Sequence, residues 1–215
     1  MKIGGFQPFT LTDYPGEVAA VVFTRGCNLR CPFCHNKGIL SVDAGSDKEE
    51  GSEGILDFLE KRKGILTGVV VTGGEPTIQK DLGGFLLSIK RLDYRVKLDT
   101  NGSMPGILRA LLDEDIPDYV AMDVKAPWTK YRLAIGRDWG VEAFLESVDL
   151  IATSGIRHHF RTTLVPGLIK GDDIEVIRKA LPRGSRHVIQ PYRALGVDMD
   201  GGQGGCGEGR KPHRS

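Results

Sequence analysis

Three things are scarce in this 215-residue chain: surplus charge of one sign, long apolar runs, and cysteine. Lys and Arg number 29 against 28 Asp and Glu, a formal charge of +1, so no global basic field draws the chain to nucleic acid or to an anionic membrane. Nowhere do eighteen apolar residues follow one another, which leaves no candidate membrane span. The opening Met1-Lys2-Ile3-Gly4-Gly5-Phe6 has no apolar run behind its lysine to serve as a leader, and the expected location is the cytoplasm. Four cysteines, three of them clustered, suit metal ligands kept reduced rather than the disulfide framework of a secreted domain. This length fits one well-buried domain and is short for two. The expectation is a domain over 1–195, then a Gly-rich and basic stretch, 196–215, that contains Cys206 and has the composition of a disordered tail.

What is present is concentrated in a few places. Cys27, Cys31 and Cys34 stand at i, i+4 and i+7 in one short loop, and no fourth cysteine is near them in sequence. A closed structural zinc site takes four protein ligands and an electron-transfer cubane takes four cysteines; three leave one metal with an open position for a small molecule. The rival is a zinc knuckle completed by His35. That residue abuts Cys34 and would have to fold back to share its metal.

Apolar, β-branched runs at 18–23, 68–72, 95–99, 119–124, 159–165 and 187–190 read as strands. Between them, helices are expected over 52–63, 82–92, 105–112, 141–154 and from Asp172-Asp173 to Leu181, and 41–52 reads as a surface loop. Strand and helix alternate about six times. This predicts an α/β fold built on a parallel sheet, as a barrel or partial barrel, with a flat doubly wound sheet as runner-up. The unusual residues gather at strand carboxyl ends: the cysteine loop, Gly73-Gly74-Glu75-Pro76, Asp99-Thr100-Asn101-Gly102, Asp123-Val124-Lys125, Arg161-Thr162-Thr163 and Gln190-Pro191-Tyr192-Arg193. In α/β barrels that rim builds the active site. Tyr14-Pro15-Gly16-Glu17 suits a type II turn without a catalytic role.

Asp99 and Asp123 end neighbouring strands, so two carboxylates face one cavity and need a cation or a hydrogen-bond donor between them. Lys125, Arg161 and Arg193 are cations beside those ends, suited to a carboxylate and hydroxyls. The glycine pair suits a backbone that comes close to a ligand.

The cysteine spacing, with Phe33 before the last cysteine, resembles the radical S-adenosylmethionine (SAM) enzymes. Adding Asp13-Tyr14-Pro15-Gly16, the Gly-Gly-Glu-Pro turn, Asp99-Thr100-Asn101-Gly102 and Ala121-Met122-Asp123-Val124-Lys125, residues 3–195 are similar to the activating proteins of anaerobic ribonucleoside-triphosphate reductase, relatives of pyruvate formate-lyase activating enzyme. The resemblance implies a (β/α)6 partial TIM-type barrel. It implies a 4Fe-4S cluster on Cys27, Cys31 and Cys34, whose free iron is chelated by SAM, and a turn at Gly73, Gly74 and Glu75 that takes the SAM ammonium. Phe33 and His35 would meet the adenine. A monovalent cation, potassium or sodium, would sit between Asp99, Asp123, the Thr100 hydroxyl and the Ala121 carbonyl. Lys125, Arg161 and Arg193 would hold SAM, although Arg193 departs from the histidine found there in the formate-lyase activase.

The implied activity is reductive cleavage of SAM to a 5'-deoxyadenosyl radical that takes hydrogen from a glycine of the reductase. Electrons would come from a donor such as flavodoxin or ferredoxin. The alternatives are a pyruvate formate-lyase-type partner, a small-molecule radical SAM enzyme such as a deazaguanine synthase, and a noncatalytic zinc-binding module.

Overall fold

The computed structural model describes residues 1–40 and 51–193, so the expected tail with Cys206 and most of the expected loop at 41–52 lie outside the described residues. Seven strands are present: β1 Ile3–Thr10, β2 Ala19–Thr24, β3 Gly68–Gly73, β4 Arg95–Thr100, β5 Tyr119–Asp123, β6 Arg157–Leu164 and β7 His187–Pro191. Helices α1 Ser52–Glu60, α2 Leu82–Arg91, α3 Pro105–Asp113, α4 Tyr131–Ile135, α5 Glu142–Thr153 and α6 Gly171–Ala180 lie between them. The strands run in sequential order across one sheet, β2 to β7 all parallel. A doubly wound sheet reverses its strand order at a switch point, whereas a barrel adds each strand beside the last. The order therefore selects the partial barrel, with β1 and β7 as its two unjoined edges.

β1 and α4 were not expected. β1 carries Gly4, Gly5 and Pro8, which weaken any strand signal, and it pairs antiparallel to β2 with a register shift between Gln7 and Thr10. Proline has no N–H for a ladder and is tolerated on an edge strand or at a bulge, and Pro8 sits where both hold.

Because side chains alternate along a strand, the sheet buries both faces. Ala20, Val22, Val69, Val71, Val96, Leu98, Val120, Met122 and Phe160 belong to the core that includes Ile55, Leu59, Phe85, Leu86 and Ile89 of α1 and α2. Each large apolar side chain so buried contributes about 1.5–3 kcal/mol. Ala19, Val21, Val70 and Tyr119 face the other way and pack with Tyr14. Tyr14 belongs to the expected turn, closed by Glu17 N–H donating to its carbonyl at 3.1 Å with Gly16 at φ +85°. It is fully buried and closes the amino-terminal floor of the half-barrel. Inside the half-barrel, among the described residues, the carboxyl-terminal rim and the gap between β1 and β7 remain open.

Candidate active site

The cysteine loop is pinned on both sides. Gly26 N–H donates to Ile39 at 2.7 Å, Arg30 N–H to Ile135 of α4 at 2.9 Å, and Leu29 is buried beneath. Leu29 N–H lies 3.4 Å from the Cys27 Sγ, and Asn101 Nδ2 lies 3.9 Å from the same sulfur and 3.1 Å from Asn28 Oδ1. Burial pushes the Cys27 thiol up to about 11 and raises Cys31 as well, with each neighbouring sulfur adding to the shift. Thiols kept protonated by desolvation release their protons when a metal supplies the compensating charge, so these residues fit an iron–sulfur cluster. His35 does not join them. Its ring stacks on Tyr192 at 5.4 Å, and its Nε2 donates to the Arg193 carbonyl at 2.8 Å, a group that can only accept. Among the described residues no three His, Cys, Asp or Glu side chains converge on one ion-sized point.

The glycine turn interlocks with this loop. Gly73 has φ +117°, Gly74 N–H donates to Thr24 at 2.9 Å, and Glu75 N–H donates to Gly26 at 2.9 Å. A Cβ on Gly74 would stand 1.8 Å from the Gly26 carbonyl oxygen, so the second glycine is required by the cysteine loop itself. Asn36 Nδ2 donates to the Gly73 carbonyl at 3.0 Å.

A cleft of about 240 Å³ opens at the rim, and Cys34 lines it together with His35, Gly73, Gly74, Asp99, Thr100, Asp123 and Arg161 of the expected SAM ligands. The other four lie elsewhere. Phe33 packs into the core. Glu75 is completely buried below the turn: its Oε1 accepts from Thr77 N–H, the Thr77 hydroxyl and the Thr100 hydroxyl, and its Oε2 from Asn101 N–H. Burial raises this carboxyl and the four donors oppose the rise. Glu75 therefore ties the turn after β3 to the turn after β4, with no oxygen left for a ligand. Lys125 stands behind Asp123, close enough to Cys27 and Cys31 to act on both electrostatically. Arg193 meets the site only through its backbone carbonyl.

The expected alkali-ion site is filled by side chains. Lys97 donates to Asp99 Oδ1 and Arg161 to Asp99 Oδ2 at 3.2 Å, while Asp123 takes Arg161 Nε at 2.6 Å and Lys125 at 2.7 Å on its two oxygens. All four carboxylate oxygens have a cationic donor, and the Thr100 hydroxyl is spent on Glu75 at 2.7 Å. Burial alone would raise both carboxyls. Lys97 and Arg161 outweigh it at Asp99, and Arg161 and Lys125 outweigh it at Asp123, so both are held below the usual carboxylate range. This arrangement does not fit a potassium or sodium ion. Sequence reading found the cation between the carboxylates but missed Lys97, which period 2 places on the same strand face as Asp99.

Asp13, Asn36, Thr163 and Gln190 also line the cleft, and none had been assigned a ligand. Only the chain-order position of Thr163 and Gln190 near strand ends hinted at them.

A family model described as the radical SAM superfamily matches residues 21–180. A Methanocaldococcus jannaschii protein, MJ1227, named as a candidate glycyl-radical enzyme activating enzyme, is 35% identical over 88% of this chain and 79% of its own length. The pyruvate formate-lyase-activating enzyme of Clostridium pasteurianum is 30% identical over 92% of this chain and 84% of its own. Among solved structures, TYW1 with a lysine–pyruvate adduct bound superposes with a TM-score of 0.61 at 19% identity, over 84% of this chain and 66% of that one, a likeness of fold. With its three-cysteine loop at the rim of a (β/α)6 half-barrel, the chain belongs to the radical SAM superfamily.

Proposed function

We propose that this protein is a glycyl-radical enzyme activase whose partner is the anaerobic ribonucleoside-triphosphate reductase. The observation that carries the reading is that Cys34, the glycine turn and the Asp99–Arg161–Asp123 group line one cleft, in a chain similar over most of its length to one relative named for glycyl-radical enzyme activation and to another named for pyruvate formate-lyase activation. A 4Fe-4S cluster on Cys27, Cys31 and Cys34 with SAM would supply a 5'-deoxyadenosyl radical able to take a hydrogen atom from glycine.

The chain's own residues then have distinct tasks. The Gly73–Gly74 backbone receives the SAM ammonium. Arg161, fixed by two carboxylates, offers its remaining N–H groups to the SAM carboxylate, and Lys125 adds positive charge beside the cysteines. His35, locked by Tyr192 and the Arg193 carbonyl, presents a ring edge to the adenine. Val21, Phe23 and Val70 keep the inner wall dry. No potassium or sodium ion enters this reading, because Arg161, Lys97 and Lys125 already neutralise the carboxylates.

Residues 1–195 would form the catalytic domain, followed by a tail at 196–215, and flavodoxin or ferredoxin would deliver electrons in a reducing cytoplasm. No helix among the described residues is long and apolar enough to cross a membrane.

The test is anaerobic reconstitution with dithionite, SAM and the reductase from the same cell. An organic doublet from a backbone glycyl radical should grow as 5'-deoxyadenosine accumulates, and deuterium on the partner's radical-site glycine should move into that product. SAM cleavage with no radical on either the reductase or a formate-lyase would remove the activase reading.

A further inference from the structure

The rim cleft continues past Asp13, Arg161 and Gln190 into a second chamber of about 180 Å³ that the SAM reading leaves unused. Thr12, Asp13 and Pro15 after β1 form one wall and Val188 and Gln190 of β7 another, so the chamber occupies the gap where the half-barrel fails to close. Lys97, His159 and Arg186 complete it.

Its free polar groups are mostly donors. The exposed Arg186 guanidinium makes no hydrogen bond or ion pair among the described residues, although it stands close enough to act on His159 and Tyr119. His159 is 7% exposed, with Nδ1 2.9 Å from the Tyr119 hydroxyl. Burial, then Lys97 and Arg161, push its pKa down to about 4, so the ring is neutral at pH 7. The Tyr119 hydroxyl has no other acceptor among the described residues, and in the tautomer in which it donates to Nδ1 the ring proton sits on Nε2. Nε2 has no partner among the described residues, and His159 lines the chamber.

Charge points the same way. The chamber's own lining holds Lys97, Arg161 and Arg186 against Asp13; Lys97 and Arg161 are paired with Asp99 and Asp123, which leaves the Arg186 charge without a carboxylate partner among the described residues. An unpaired guanidinium beside a chamber whose free groups are mostly donors favours an anionic partner. Asp13, whose carboxylate accepts from the Thr10 hydroxyl, is the acceptor on the opposite wall.

We propose that this chamber binds an oxyanion, a carboxylate or phosphate, on the molecule that enters beside SAM, with Arg186 and the His159 Nε2–H as donors and Asp13 accepting from an N–H or O–H of the same ligand. A free small acid and an acidic side chain of a protein segment share this chemistry.

The probe is inorganic phosphate, titrated calorimetrically into the reconstituted full-length protein without SAM or partner. Saturable one-site binding is expected, weakened at least tenfold by Arg186→Gln and several-fold by His159→Phe, and unchanged by Lys179→Gln on the exposed face of α6. Displacement by succinate assigns the oxyanion to a free acid, and displacement by a blocked Gly-Glu-Gly peptide assigns it to a protein segment. Phosphate that binds Arg186→Gln as well as wild type, or that never saturates, overturns the proposal. Neither SAM nor a partner is present, so anion binding can fail while glycyl-radical formation succeeds, and the reverse, which separates this inference from the activase reading.

Discussion

Gly74→Ala and Gly84→Ala make the same chemical change, and the structure gives them opposite signs. At position 74 the new Cβ would stand 1.8 Å from the Gly26 oxygen and 2.6 Å from its carbonyl carbon. A carbon–oxygen contact wants about 3.3 Å, so the turn must retreat by about 1.5 Å. That distance breaks the 2.9 Å bonds from Glu75 N–H to Gly26 and from Gly74 N–H to Thr24. Each is worth about 1 kcal/mol, and with about 1–3 kcal/mol of overpacking the loss comes to about 3–5 kcal/mol. Gly26 immediately precedes Cys27, so the displacement reaches a cluster ligand and iron content should fall with stability. Gly84 lies inside α2 with nothing within 4 Å of an added Cβ, and alanine there should gain about 0.5–1 kcal/mol. Urea unfolding followed by circular dichroism, with iron counted on the same anaerobic samples, reads both effects. A Gly74→Ala protein with the wild-type midpoint and full iron would refute the interlocked turn.

Cys27→Ala, Cys31→Ala and Cys34→Ala should each lose iron on reconstitution while Cys206→Ala keeps it; the reverse pattern would end the cluster assignment. His159 should make stability depend on pH. Its folded pKa of about 4 lies below the unfolded value near 6.5, so the unfolded chain binds the extra proton. Its stabilising contribution is complete above 6.5 and drains away as pH falls toward 4. Between pH 7 and pH 5 wild type should lose about 2 kcal/mol more than His159→Gln, and parallel urea curves for the two would contradict this. Replacing potassium chloride by choline chloride should leave the rate of SAM cleavage unchanged; a rate that needed the alkali ion would mean that Arg161 leaves its carboxylates when SAM binds.

What the sequence made legible follows from how local each signal is. The cysteine spacing is chemistry written in adjacent residues, and runs such as Ala19-Ala20-Val21-Val22-Phe23 announce a strand buried on two faces. Those signals fixed the parallel architecture and the rim. β1 escaped because Gly4, Gly5 and Pro8 deny it any local preference; it exists because β2 offers an open edge. α4 is five residues long, too short to show a helical period, yet it holds the cysteine loop through Arg30. Glu75 and Phe33 sit inside informative motifs, but being near a site in sequence did not say which way each side chain points. One went beneath the turn and the other into the core. Asp13 belongs to a turn between β1 and β2, and only the curling of the open sheet brings it to Arg161 and Gln190.

The charge group at the rim shows how a strand's period becomes function. Lys97 and Asp99 are two residues apart on β4, and Asp123 and Lys125 are two apart at the end of β5, so each carboxylate carries a lysine on its own strand face without any long-range folding. Arg161 on β6 pairs in register with Asp123 and reaches Asp99 beyond it, closing a row of five charges with one positive left over. Two buried carboxylates with no donors would repel one another and rise in pKa, taking up protons. Held ionised by three cations, they fix the Arg161 guanidinium in one orientation, and its unspent N–H groups become a rigid receiver for a carboxylate entering the cleft. Truncating Arg161 should therefore harm the site twice, by removing the receiver and by leaving Asp99 and Asp123 to face each other, whereas truncating Lys125 leaves the carboxylates bridged by Arg161 and removes one donor from Asp123 and a positive charge beside Cys27 and Cys31.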